Sequence, residues 1–169
     1  SPEDAPGTCV TCVMEGVRPV LAEIQALVVP SSFGNPRRVS NGVEYNRAML
    51  LLAVLEKRGG LLLGNCDAYL NVIGGLSLDE PAADLAAMLA LASSFRDKPV
   101  PSDLAAIGEV GLTGELRAVS NLGQRLSEVR RLGFTKCLIP KRIQGKLAAP
   151  EGLELIRVAN IREALAALL

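Results

Sequence analysis

The sequence predicts a mixed α/β (α+β) domain, and three observations point to that class. Several stretches alternate and are rich in β-branched residues, as in "VRPVLAEIQALVV" (17–29). Others place leucine, valine and alanine at helical spacing. Glycine and proline punctuate the joins, and strands and helices intersperse without strict βαβ regularity. With 169 residues the chain is long enough to bury the core of one domain. That core is aliphatic, because hydrophobic residues make up 49% of the chain and aromatics 3%.

The chain opens on "SPEDAPG", a linker-like composition, and reads as a piece cut from a longer protein. "TCVTCVM" then alternates as a strand does, and residues 1–16 are assigned to a linker and strand preceding the domain proper at 17–169. After the strand at 17–29, "PSSFGNPRR" (30–38) predicts an exposed loop carrying two arginines. Asn41 followed by Glu44 resembles a capping box, opening a helix that Gly59-Gly60 stop after about Lys57. "DAYLNVIGG" (67–75) predicts a strand, and a helix is expected from about Pro81 to Ser94, with Asp79 or Glu80 as its cap. Residues 102–119 read as strand, glycine turn and strand. A helix at about 121–132, strands at 135–139 and 153–158, and a helix from Ile161 complete the chain.

The helix start at Pro81 gathers unpaired backbone N–H groups, a common seat for a nucleophile or an anion. The two side chains that follow the proline are nevertheless Ala82 and Ala83. Histidine is absent, so the chain holds no Ser-His-Asp triad, no Cys-His pair and no His-ligated zinc. Cys9 and Cys12 form one CxxC without a second ligand pair. Buried or edge-strand thiols are the expected reading, with metal or redox work as the other. No apolar run reaches the ~18–20 residues of a membrane span, and no signal peptide is visible. The cytoplasm is the expected location.

Charge is balanced overall, 18 against 18, but residues 125–146 hold seven cations (Arg125, Arg130, Arg131, Lys136, Lys141, Arg142, Lys146) against Glu128 alone. This stretch reads either as a polyanion footprint or as a solvated helix face and loop. Within it, Arg125 falls on the apolar stripe of Leu122, Leu126, Val129 and Leu132. An inward guanidinium needs an acceptor, for which Asp79, Asp84 and Glu109 are candidates; otherwise it snorkels to solvent.

"GEVGLTGELRAVSNLGQRLSEVRRLGF…LIP" resembles the signature region of the Lon protease proteolytic domain, and "LDEPAAD" falls where that family carries Asp-Gly-Pro-Ser-Ala-Gly. The resemblance spans roughly residues 17–169 and implies a Lon proteolytic-domain-like fold. "EIQALV", "GNPRR", "YNRAMLLLAVLEKR", "LNVIGG", "EPAADLA" and "SSFRD" are similar, more closely, to the C-terminal Lon-like domain of the bacterial RadA (Sms) family of DNA repair and recombination proteins.

Carried over by position, the Lon nucleophile becomes Ala82 and the catalytic lysine becomes Arg125. Alanine has no nucleophile, and arginine, with a pKa above ~12, is no general base near neutrality. The resemblance therefore implies no catalytic residues here; because Asp84 departs from the glycine that closes the family's motif, Asp84 or Asp79 is expected to pair with Arg125 in place of the dyad. A residual peptidase using Ser77 or Ser127 is the remote alternative.

The RadA resemblance further implies a non-catalytic scaffold that forms homo-hexameric rings and holds DNA, with a RecA-type recombinase as a further partner. Arg37, Arg38, Arg130, Arg131, Lys141, Arg142 and Lys146 are the candidate phosphate contacts. With three Phe, two Tyr and no Trp, duplex backbone contact is expected over base stacking. A pure protein-interaction module is the alternative. No metal or other cofactor is expected in this chain. ATP, magnesium and zinc belong to the family's ATPase and zinc-finger modules, as do branch migration and helicase work.

Overall fold

A computed structural model describes residues 5–32 and 34–169. Residues 1–4 of the expected linker and Phe33 of the expected loop lie outside the described residues. The first two strands, β1 (Thr8–Glu15) and β2 (Arg18–Pro30), form a long antiparallel hairpin. Next come β3 (Arg38–Asn41), helix α1 (Tyr45–Lys57) and β4 (Cys66–Val72). Helix α2 (Asp84–Arg96) is followed by β5 (Leu104–Ala106) and the two-residue strands β6 (Glu109–Val110) and β7 (Leu116–Arg117). Helix α3 (Leu122–Arg131), β8 (Lys136–Pro140), β9 (Glu154–Val158) and α4 (Ile161–Leu168) complete the order.

Seven strands form one sheet in the order β3-β4-β2-β1-β5-β8-β9, and β6 pairs with β7 apart from it. Following the pairings outward, β2 alone runs against the other six. The class is the mixed α/β expected. One expectation needs correction: β1 lies between β2 and β5, paired with β2 over its whole length. It is an interior strand of the domain, and a boundary after residue 16 would cut a hairpin. The polar composition of the first seven residues does not extend into the alternating stretch that follows.

Helix α2 is buried on every side from Asp84 to Ser94, as a helix apolar all round must be. It lies on β1 and β2 and is covered from outside by α1 and α4. Its alanines permit close approach, and two hydroxyls tie its last turns to the sheet. Ser93 Oγ accepts from Gly7 N at 2.9 Å, and Ser94 Oγ accepts from Val28 N at 2.9 Å. Helix α3 covers the opposite face with Leu122, Leu126 and Val129, against Cys12, Ala105, Ile107, Cys137 and Ile139. Leu132, expected on that stripe, caps the helix and stands half exposed.

Two further local expectations are corrected. Residues Arg38–Asn41, the first of them placed in a loop, form a strand beside β4. Asn41 therefore ends β3, and Glu44 itself caps α1, accepting from Arg47 N at 2.7 Å. Between them Gly42 takes φ +93, and a Cβ there would lie 2.6 Å from both Leu76 O and Val72 Cβ. That close approach seats the stretch after β4 beside the start of α1, with Leu78 N donating to Gly42 O at 2.6 Å.

Candidate functional site

The expected seat is a single 3₁₀ turn, Pro81–Ala83, leading into α2. It is fastened to the strand ends below it: Gly108 N donates to Ala82 O at 2.9 Å and Leu85 N donates to Gly108 O at 3.1 Å. Ala82 is 4% exposed and packs in the α3-side cluster with Leu122 and Leu126, whereas Ala83 belongs to the cluster on the other face. The cleft beside the turn, about 350 Å³, is lined by Val43, Glu44, Arg47, Asp79, Glu80 and Asp84 among others, but not by Ala82. The position given to the nucleophile is thus filled and covered.

Arg125 lies between Leu122 and Leu126 on α3 and is 2% exposed. Its guanidinium reaches three acceptors: Ser120 O at 2.8 Å, Cys12 O at 3.0 Å and the Glu80 carboxylate, with which it forms an ion pair. Glu80 in turn accepts from Met14 N at 3.2 Å. Burial pulls the arginine below its ordinary pKa, yet from a value above ~12 it stays charged. The pair joins the turn, β1 and α3 at one point.

The expected partners of Arg125 are therefore corrected. Asp84 faces the other way: Arg47 Nε donates to its Oδ1 at 3.0 Å, Arg47 Nη2 pairs with its Oδ2, and Val110 N donates to Oδ2 at 3.0 Å. Burial pushes the Asp84 carboxyl up, against the pull of Arg47 and the Val110 N–H. Asp79 is exposed, and Glu109 pairs with Arg117 at 3.4 Å. The physical reason is the turn. Glu80 precedes it on extended backbone (φ −110, ψ 127) and Asp84 follows it as the first residue of α2, so the acids leave toward opposite faces. Nothing in the sequence spacing marked Glu80 or Arg47 for these roles. Ser77 and Ser127 are both exposed.

The cysteine pair is buried, as expected of interior thiols. Three residues apart on a strand, Cys9 faces the α2 side and Cys12 the α3 side. Burial pushes their thiols up to about 12 and about 11. Among the described residues no cluster of three or more His, Cys, Asp or Glu side chains could hold a metal ion.

The seven candidate phosphate contacts do not converge. Arg37 and Arg38 stand where β3 begins, and Lys141 and Arg142 stand where the parallel β8 ends, so the pairs lie at opposite ends of the sheet. Arg38 Nη2 donates to Leu63 O at 2.8 Å, and Arg130 donates to Glu151 O at 3.1 Å and Phe134 O at 3.3 Å. These two are committed to carbonyls, which corrects their reading as free cations. Arg131 is exposed and pairs with Glu128. Arg37, Lys141, Arg142 and Lys146 are exposed, Lys146 beside the start of α3. No helix among the described residues is long and apolar enough to cross a membrane.

Residues 67–169 match the family model of the Lon protease (S16) C-terminal proteolytic domain, a span holding both the turn and Arg125. The chain is 56% identical over 159 residues to the DNA repair protein RadA of Bacillus subtilis (strain 168), covering 94% of this chain and 35% of that protein. It is 50% identical over 163 residues to RadA of Streptococcus pneumoniae, covering 96% of this chain and 39% of that protein. RadA of Listeria monocytogenes is 52% identical over 163 residues, covering 96% and 36%. The chain thus spans between 35% and 39% of the length of these relatives.

Proposed function

The chain belongs to the family of Lon protease (S16) C-terminal proteolytic domains and is similar along nearly its whole length to bacterial DNA repair proteins RadA; from that premise we propose that it is a non-proteolytic scaffold, which forms rings and holds DNA for a repair and recombination protein. The observation that carries the proposal is the state of the two dyad positions. Ala82 presents a methyl group inside a packed cluster, and Arg125 spends its guanidinium on Glu80 and two carbonyls. An ion pair built where acid–base chemistry would sit fixes geometry and takes no proton at neutral pH. The scaffold remains while its chemistry is gone.

In this reading six copies associate head to tail, each joining two different patches of its surface. Exposed aliphatic side chains at turns and helix ends, among them Val17, Leu62, Leu112 and Leu132, supply apolar area for such contacts. Of the cations named from sequence, Arg37, Lys141, Arg142 and Lys146 are left to meet phosphates, while Arg131 is held by Glu128. ATP, magnesium and zinc act in parts of the protein beyond this chain, as do branch migration and helicase work. A RecA-type recombinase is the further partner, and the cytoplasm is the site of action.

Two measurements test this reading. Mass in solution across a concentration range is expected to rise toward a six-fold assembly; a monomer at every concentration removes the ring. Binding to a DNA duplex is expected to weaken steeply with salt as counterions are retained. Loss of any measurable DNA binding at low salt leaves the protein-interaction module, which the scatter of the sequence-nominated cations favours.

A further inference from the structure

We propose that a ridge of two backbone stretches, where residues 114–116 run beside 159–161, is a seat for the phosphate backbone of a nucleic acid. Lys57, Arg58 and Arg162 stand on one side of it, and Lys141 and Arg142 on the other. The inference rests on the DNA-holding reading above and gives it a surface, most of which the sequence pattern did not nominate.

The fold assembles this ridge from distant segments. Ile161 N donates to Gly114 O at 2.8 Å, Leu116 N donates to Ala159 O at 2.9 Å, and Lys141 N donates to Val158 O at 2.8 Å. One hollow beside the ridge is lined by Lys57 and Arg58 from the end of α1, Arg162 from the first turn of α4, and Thr113, Gly114, Asn160 and Ile161. It contains three cations and no carboxylate. The hollow on the other side holds Arg117, Lys141 and Arg142 with Glu115 as its one acid.

The nearby acids are already engaged. Glu115 accepts from Thr113 and from Arg117, and Glu109 also pairs with Arg117. Glu163, beside Arg162, accepts from Ala159 N at 3.0 Å, while Asn160 Oδ1 caps α4 by accepting from Glu163 N at 2.9 Å. Lys57, Arg58, Arg162, Lys141 and Arg142 are exposed, and none of their side chains has a hydrogen bond or ion pair among the described residues. In a chain of zero net charge this is a concentrated positive field.

A nucleic acid suits it better than a lone phosphate. The two hollows have no lining residue in common, so contact with both sets of cations takes a ligand that carries several charges. A duplex carries about one negative charge per 1.7 Å of axis and reaches both sides at once. Neither hollow has an aromatic lining residue on which a base could stack, so the contact is to the backbone.

The test measures binding of a fluorescein-labelled duplex of mixed sequence between about 50 and 200 mM salt. It compares the wild-type chain, Lys57→Gln/Arg58→Gln/Arg162→Gln, and the control Arg96→Gln/Lys98→Gln at the far end of α2. All five substituted side chains are exposed, and unchanged circular dichroism and melting verify the fold of each variant. Each lost phosphate contact flattens the log–log salt slope by about 0.9, so the triple variant is expected to lose about 2–3 units while the control matches wild type. A wild-type slope retained by the triple variant overturns the ridge and leaves DNA binding elsewhere on the chain. Absence of salt-dependent binding by the wild type overturns the DNA reading itself, and the ridge with it.

Discussion

Arg125 and Glu80, 45 residues apart in sequence, form an ion pair beneath α3 that also holds the backbone of β1. Removing one member leaves the other uncompensated. Arg125→Met or Glu80→Ala alone is expected to cost about 3–5 kcal/mol of stability, read from urea unfolding. The joint variant Glu80→Ala/Arg125→Met is expected to cost less than the sum of the single changes. Additive losses would show that the two side chains are not coupled.

Restoring the missing hydroxyl alone is expected to leave the chain inactive. Ala82→Ser places an Oγ in an apolar cluster outside the lining of the neighbouring cleft, and the arginine at the dyad's other position cannot take its proton. Incubation with an unfolded protein and a serine-reactive probe is expected to give neither cleavage nor labelling. Melting is expected to report a loss of about 1–3 kcal/mol if the new hydroxyl finds no partner. Turnover by this variant would refute the assignment of a scaffold without chemistry.

The cysteines make stability depend on alkaline pH. Burial pushes Cys9 and Cys12 from an ordinary 9.0 to about 12 and about 11. The unfolded chain therefore loses these protons first as pH rises. Their contribution is complete below about pH 8.5, declines above it, and is gone once pH passes 11–12. Unfolding free energy measured from pH 8 to 11 is expected to fall, and Cys9→Ala/Cys12→Ala is expected to flatten that fall. In the native protein both thiols are expected to resist alkylation at pH 8; rapid labelling would contradict their burial.

Thr11 is fully buried between Cys9 and Val13, and its hydroxyl has no hydrogen-bond partner among the described residues. Thr11→Val exchanges that hydroxyl for a methyl of similar size. It is expected to raise stability by up to about 1 kcal/mol, seen as an increase in Tm. A lower Tm would mean that the hydroxyl is satisfied in solution.

Much of the fold was legible because its elements carry local signals. The alternation of "VRPVLAEIQALVV" gave β2, and the alanine-rich run after Pro81 gave α2. The place of β1 was not legible, since alternation marks a strand without naming its neighbours: β2 joins it across a tight turn, but β5 on its other side comes from a distant segment. Helix spacing put Arg125 on an inward stripe, but its partner depended on how a three-residue turn aims the acids on either side of it. The cations of the ridge could not be grouped either. Lys57 and Arg162 are far apart in the chain and meet only because the start of α4 packs back against the end of α1, and Lys141 reaches the other flank through the pairing of β8 with β9.

What the amino acids determined by themselves is the set of groups present: no histidine, no hydroxyl at position 82, and a base at 125 that cannot give up its proton. Chemistry of that kind is a property of side chains and needs no coordinates. Which charges neutralise one another, and which remain free for a partner, was decided by the tertiary structure alone. Coulomb attraction and hydrogen bonding depend on distance and burial, and those are fixed only when remote segments pack.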